Sequence, residues 1–203
     1  MNWNLLIDRE RVLLTDDFEQ IWSVILNKYT SNMQCPIDEV IKDVLGREAE
    51  DISGLWGKIN HLAFYIGDYS ENSEIQGFVC MLQKKKDEGK IIDFDYGVSQ
   101  LAVKYHGTQG WWFSVNVDNT IKFELFTFLR FGDWADINLK MKSKLISHFA
   151  INVLNKADLD EVVAKCKKTN IEIISYVIDD EIGHTYAHFR NLDSSQLIEF
   201  VYE

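Results

Sequence analysis

The sequence has a single proline, Pro36, and few cysteines: Cys35, Cys80 and Cys166. These three are odd in number, far apart and outside any C-x-x-C spacing. That argues against a disulfide framework and fits a reducing compartment. Cys80 and Cys166 each fall in an amphipathic helical pattern, where the expected role is small core filler. The 11 glycines are scattered and none form G-x-G-x-x-G, so a dinucleotide fingerprint and phosphate-cradling glycine loops are missing. Positive charge is in deficit: 21 Lys and Arg stand against 32 Asp and Glu, a net −11. A nucleic-acid partner would need a basic stripe, and the balance argues against one. The one compact basic run, Lys84-Lys85-Lys86, is followed at once by Asp87 and Glu88 and reads as a solvated helix face. No apolar run approaches the ~18 residues of a membrane span. The start, Met1 to Asp8, lacks the basic residues and the apolar length of a secretory signal. The expectation is a cytoplasmic protein with no membrane partner.

What the chain does have is enough apolar residue, 46% of 203 positions, to bury a sizeable core. Residues 1–55 read as a helical extension. Phe18, Ile21, Trp22, Ile25, Leu26 and Tyr29 recur at helical spacing, with Asp16 and Glu19 placed like a capping box. Pro36 suits the first turn of a second helix that carries Ile37, Val40, Ile41, Val44 and Leu45 and stops at Gly46.

Two later stretches repeat one pattern. Asn60-His61-Leu62-Ala63-Phe64-Tyr65-Ile66 and Ser147-His148-Phe149-Ala150-Ile151-Asn152-Val153 both read polar-His-apolar-Ala-apolar-polar-apolar. Alternation with a period of two marks a half-buried strand. His61, Ala63 and Tyr65 then share one face, as do His148, Ala150 and Asn152. After each strand comes a helical pattern, with Ile75, Phe78, Val79 and Leu82 in one case and Leu159, Val162, Val163 and Cys166 in the other. Asn155 is a candidate cap for the second helix. Three strand candidates follow each helix. In the first copy they lie within 90–105, 111–117 and 120–128, with Asp118-Asn119 as a tight hairpin turn. In the second they lie at 171–178, 184–190 and 196–202. The expected organisation is α+β, with two tandem βαβββ modules at 58–130 and 145–203.

The closing strand of each module carries one carboxylate among apolar neighbours: Glu124 in Ile121-Lys122-Phe123-Glu124-Leu125-Phe126, and Glu199 in Gln196-Leu197-Ile198-Glu199-Phe200-Val201. A glutamate in mid-strand has poor β propensity and a desolvation cost if buried, so something must offset that cost. If the two copies pack with matching faces inward, His61, His148, Glu124 and Glu199 converge. Two imidazoles and two carboxylates suit a borderline divalent cation: zinc, nickel, cobalt, manganese or iron. The other reading is two surface glutamates and two satisfied core histidines. His184 and His188, with Tyr186 between them, fall on one face of the penultimate strand beside Glu199. They are candidates for substrate contact or support of the ligands, as are Tyr65 and Asn152. His106 precedes Gly107 in an expected loop and reads as solvent-facing.

The H-x-A strand starts, the βαβββ order and the closing Leu197-Ile198-Glu199-Phe200 resemble the vicinal-oxygen-chelate superfamily over roughly residues 58–203. That superfamily includes glyoxalase I, methylmalonyl-CoA epimerase, extradiol dioxygenases and bleomycin-resistance proteins. The resemblance implies paired modules curved into a cupped mixed sheet, with metal ligands His61, Glu124, His148 and Glu199. The usual Asp-Pro-Asp-Gly-type turn before the last strand is replaced here by Asn191-Leu192-Asp193-Ser194-Ser195. Four protein ligands on an octahedral ion leave two open positions. Those suit isomerase, epimerase or lyase chemistry on a small carbonyl or carboxylate substrate, through a metal-bound enolate, with Glu124 or Glu199 as the base. An Fe(II) oxygenase needs a two-histidine, one-carboxylate triad, with Glu124 standing back. A metal-free, ligand-sequestering binding protein is the remaining alternative, though apolar residues would be expected at the four positions. A monomer or a homodimer fits either case.

Overall fold

In the computed structural model the described residues are 18–32, 36–46, 48–100, 102–103, 107–131, 136–137, 142, 145–179, 184–191 and 197–202. Asp16, Cys35, His106 and most of the two expected turns near 180 and 193 lie outside them, as does the side chain of His184.

Apolar residues at helical spacing build α1 (Phe18–Asn32), α2 (Ile37–Leu45) and the single turn α3 (Glu48–Asp51). Pro36 takes the cap position just before α2, not its first turn. Its carbonyl accepts the Glu39 and Val40 amides at 3.0 and 3.2 Å. A residue with no N–H loses nothing there, because no helical acceptor precedes it. α2 buries Val40, Ile41, Val44 and Leu45, then stops at Gly46, whose φ of +64° glycine adopts without a Cβ penalty.

Two βαβββ modules follow, and the fold is α+β. The first runs β1 (Trp56–Tyr69), α4 (Asn72–Asp87), β2 (Asp93–Val98), β3 (Gly110–Asn116) and β4 (Lys122–Leu129). The second runs β5 (His148–Val153), α5 (Lys156–Cys166), β6 (Ile171–Asp179), β7 (His184–Asn191) and β8 (Leu197–Tyr202). In each, the opening strand lies beside the closing one, giving the orders β1-β4-β3-β2 and β5-β8-β7-β6. β5 and β8 pair in parallel; β7 is antiparallel to both its neighbours.

The chain forms two compact units that interleave in sequence. One holds α2, α3, β1 as far as Leu62, and the whole second module. Its core joins Ile41, Val44 and Leu45 of α2 to Ile151, Phe189 and Phe200 of the sheet, all fully buried. At ~1.5–3 kcal/mol for each large apolar side chain buried, this packing sets the unit's stability. α5 begins with a full capping box. Asn155 accepts the Asp158 amide at 3.0 Å, and Asp158 accepts the Asn155 amide at 3.1 Å.

The other unit holds most of α1, the rest of β1, and α4 through β4. Its core is aromatic. Phe78 of α4 meets Phe113 of β3 edge-on at 4.7 Å, and Trp22 of α1 meets Phe123 of β4 at 5.4 Å. Two expectations change here. α4 turns Ile75, Phe78 and Leu82 inward, which leaves Cys80 exposed instead of filling the core; Cys166 on α5 is buried. Lys85 continues the buried stripe of α4 and is not solvated. Its ammonium reaches Glu19 at 2.9 and 3.0 Å and lies 4.9 Å above the Trp22 ring, so a carboxylate and a π face replace its water. Lys84 and Lys86 are exposed as expected. The β3–β4 loop is longer than a two-residue turn. Asp118 accepts the Thr120 and Ile121 amides at 2.7 and 2.8 Å, and Val117 N–H closes onto the Ile121 carbonyl. No helix among the described residues is long and apolar enough to cross a membrane.

Candidate metal centre

The second module and the first part of β1 bring together a buried group of three histidines and one glutamate. Strand alternation puts His148, Ala150 and Asn152 on one face of β5. The parallel ladder sets Ala150 opposite Glu199 of β8, so a side chain no larger than methyl stands beside the carboxylate. On the other flank, the antiparallel ladder sets His188 of β7 directly opposite Glu199.

Glu199 divides its two oxygens between these neighbours. Oε2 lies 3.4 Å from His61 Nε2 and 3.7 Å from His148 Nε2, while Oε1 lies 3.7 Å from His188 Nε2. The His148 ring stands edge-on to His61 at 6.0 Å and to His188 at 4.9 Å. Exposure is 4% for His61, 0% for His148, and 6% for His188 and Glu199, so water has little access to the group. Burial pushes the Glu199 carboxyl upward. His188, and then His148, more than offset that, and the carboxyl is held below the usual carboxylate range. It is therefore an anion at neutral pH.

Each flank is held from outside. His188 Nδ1 is 2.8 Å from Ser175 Oγ. Ser175 reaches it because the β6–β7 register slips between Ile173 and Ser175; an unbroken ladder would have put Ile174 opposite His188. His61 Nδ1 is 2.8 Å from Asn60 Oδ1, and Asn60 Nδ2 donates to Asn152 Oδ1 at 2.8 Å.

The set fits a divalent cation on two counts. Glu199 Oε2 is buried and accepts no hydrogen bond, which for a carboxylate oxygen costs more than the ~1–3 kcal/mol of an unsatisfied neutral group. One ligand atom each from His61, His148 and Glu199 lies within 4.8 Å of the others. Ligand atoms bound at about 2.0–2.2 Å around a tetrahedral ion lie ~3.4 Å apart, so side-chain shifts of about an ångström would close the set.

The remaining candidate residues lie elsewhere. Glu124 is in the other unit, half-buried in mid-β4 opposite Ser114. Tyr65, also in that unit, is buried with its hydroxyl bonded to Asp68, whose second oxygen accepts from Lys142 Nζ at 2.6 Å. Burial, and then the Asp68 charge, push the Tyr65 hydroxyl far above the ordinary tyrosine value, so it stays protonated. Asn152 is half-buried and tied to Asn60. His184 pairs with Asp179 at the start of β7. Sequence reasoning passed over Asn60 and Ser175. Alternation sends Asn60 to the face opposite His61, and nothing in the residue order marks the slip that brings Ser175 to His188.

Fold and cluster together define an α+β protein of two tandem βαβββ modules, in which the second module and the first part of β1 gather a buried two-histidine, one-carboxylate group. Among solved structures, similarity extends to a methylmalonyl-CoA epimerase from Mycobacterium tuberculosis. It covers 73% of this chain and 89% of that one at 13% identity, with a TM-score of 0.45. A 4-hydroxymandelate synthase variant from Streptomyces coelicolor matches 72% of this chain and 48% of its own length at 9% identity and TM-score 0.43. A Streptomyces coelicolor methylmalonyl-CoA epimerase variant in complex with 2-nitronate-propionyl-CoA matches 72% and 96% at 11% identity and TM-score 0.39. The epimerases and the synthase are vicinal-oxygen-chelate proteins. At these identities the likeness concerns the fold alone and transfers no residue role. No family model and no curated protein matches the chain.

Proposed function

We propose that this chain is a divalent-metal-dependent enzyme acting on a small carbonyl or carboxylate substrate, with His61, His148 and Glu199 holding the ion. The observation that carries this reading is Glu199 Oε2, an ionised and buried oxygen that accepts no hydrogen bond and is faced by two imidazole nitrogens. When bound, a divalent ion there supplies Lewis acidity that favours negative charge on a substrate oxygen. The protein's own groups do the rest. Glu199 brings the compensating charge, His188 holds its second oxygen, and the burial of all four side chains keeps water out. Glu124, expected from the sequence repeat as a fourth ligand or base, belongs to the other compact unit, and the proposed set holds the ion without it. The chemistry is isomerisation, epimerisation or lyase cleavage by proton transfer.

One observation favours a second reading. Two histidines and one carboxylate drawn from a single unit have the composition of the facial triad of non-haem Fe(II) oxygenases. Anaerobic purification with elemental analysis tests the shared claim. One divalent ion per chain is expected, lost in His148→Ala and in Glu199→Ala; metal retained in both variants would overturn it. Oxygen uptake with 2-oxo acids or catechols would then select the oxygenase, and its absence the proton-transfer enzyme.

A further inference from the structure

Resting on the metal reading above, we infer that Asn60 and Asn152 lock the tautomer of His61 so that Nε2 is kept as a ligand for a divalent cation. A neutral imidazole carries one N–H, and the partner of one nitrogen decides the state of the other. Asn60 presents its amide oxygen to His61 Nδ1 at 2.8 Å. An amide oxygen only accepts, so the proton sits on Nδ1. Asn60 holds that orientation because its amide nitrogen is engaged at 2.8 Å by the side-chain oxygen of Asn152. With Nδ1 protonated, the lone pair of Nε2 faces Glu199 Oε2 across 3.4 Å. Two electron-rich atoms so placed repel one another, and a cation between them converts that repulsion into coordination.

Without the lock, the ring would move its proton to Nε2 and hydrogen-bond Glu199 directly. That arrangement satisfies the carboxylate but closes the site to an ion. The asparagine pair therefore selects the less stable metal-free state in favour of metal capture, the positioning role that outer partners of metal-bound histidines play. Asn60 and Asn152 touch no reacting group. They act through His61, and the residue pair is drawn from β1 and β5 within the same compact unit.

The test uses the full chain, metal-free, with 15N-labelled histidine side chains, the tautomers read from long-range proton–nitrogen correlations and His61 assigned with a His61→Gln variant. The wild type is expected to show His61 in the Nδ1–H form. Asn60→Ala and Asn152→Ala should each shift it toward Nε2–H and lower zinc affinity, measured by calorimetry, by about 10- to 100-fold. Asn60→Asp keeps an acceptor oxygen and should retain the Nδ1–H form, which separates the lock from a general loss of folding. His61 found in the Nε2–H form in the wild type, or Nδ1–H undisturbed in both alanine variants, would overturn the inference. A wild type that shows the lock but takes up none of zinc, iron, cobalt, nickel or manganese would overturn the metal reading, and with it the ligand role of Nε2, while leaving the tautomer assignment standing.

Discussion

The two modules repeat one order of elements but surround the carboxylate of the closing strand differently. Glu199 on β8 is buried, with His188 opposite on one neighbouring strand and Ala150 opposite on the other. Glu124 on β4 is half-buried, and its cross-strand partner on β3 is Ser114. A buried anion has to be compensated, and around Glu199 imidazoles do this. The first module's histidine follows the same division: His61 belongs to the compact unit of Glu199, while Glu124 does not. Matching places in a repeat therefore fix backbone geometry without fixing chemistry.

The sharpest way to break this comparison is to remove each carboxylate. Glu199→Ala should empty the site, by more than the ~100-fold that losing an outer partner costs. Glu124→Ala should leave metal binding close to the wild type, because His61, His148 and Glu199 all remain. Elemental analysis and zinc calorimetry on both variants check this, and equal loss would make the modules equivalent.

The next substitutions test whether the difference is confined to the site face. Phe200 follows Glu199 and Leu125 follows Glu124, and both are fully buried on the opposite faces of their strands. Phe200→Ala should cost about 3–5 kcal/mol and Leu125→Ala about 2–5 kcal/mol in urea unfolding of the metal-free protein. Similar losses would show two equivalent core faces behind two different site faces. Ser175 and Ser114 extend the contrast outward. Ser175→Ala frees the His188 ring and should lower zinc affinity about 10-fold, whereas Ser114→Ala should leave it unchanged.

The fold was legible where periodicity was long. Alternation through His61 and His148, helical stripes at 75–82 and 159–166, and turn residues between strands set the βαβββ order twice, and the topology follows it. The convergence of His61, His148 and Glu199 could be read from phase, because residues two apart on a strand keep one face whatever the loops do. What escaped depends on departures from periodicity. Ser175 reaches His188 through a register slip, and Asn60 bonds its own neighbour across the expected alternation. Lys85 and Cys80 were misplaced because a stripe starting at Ile75 runs one turn further than its apolar residues, and a lysine stem can fill that turn if its ammonium meets Glu19.

The smallest expected contrast lies where each module's helix begins. α5 starts at Asn155, whose side chain accepts the Asp158 amide while Asp158 accepts the Asn155 amide. Two of the amides that a helix start leaves without acceptors are thus satisfied reciprocally. α4 starts after Glu71, which makes no side-chain cap bond; Glu74 instead accepts the Ser70 amide at 3.0 Å. Asn155→Ala should therefore cost about 1 kcal/mol, read as a lower urea midpoint with unchanged slope, while Glu71→Ala should leave the midpoint where it is. If the two substitutions shift the midpoint equally, the second module's helix gains nothing from its box, and its start is set by packing of Leu159 and Val162 alone.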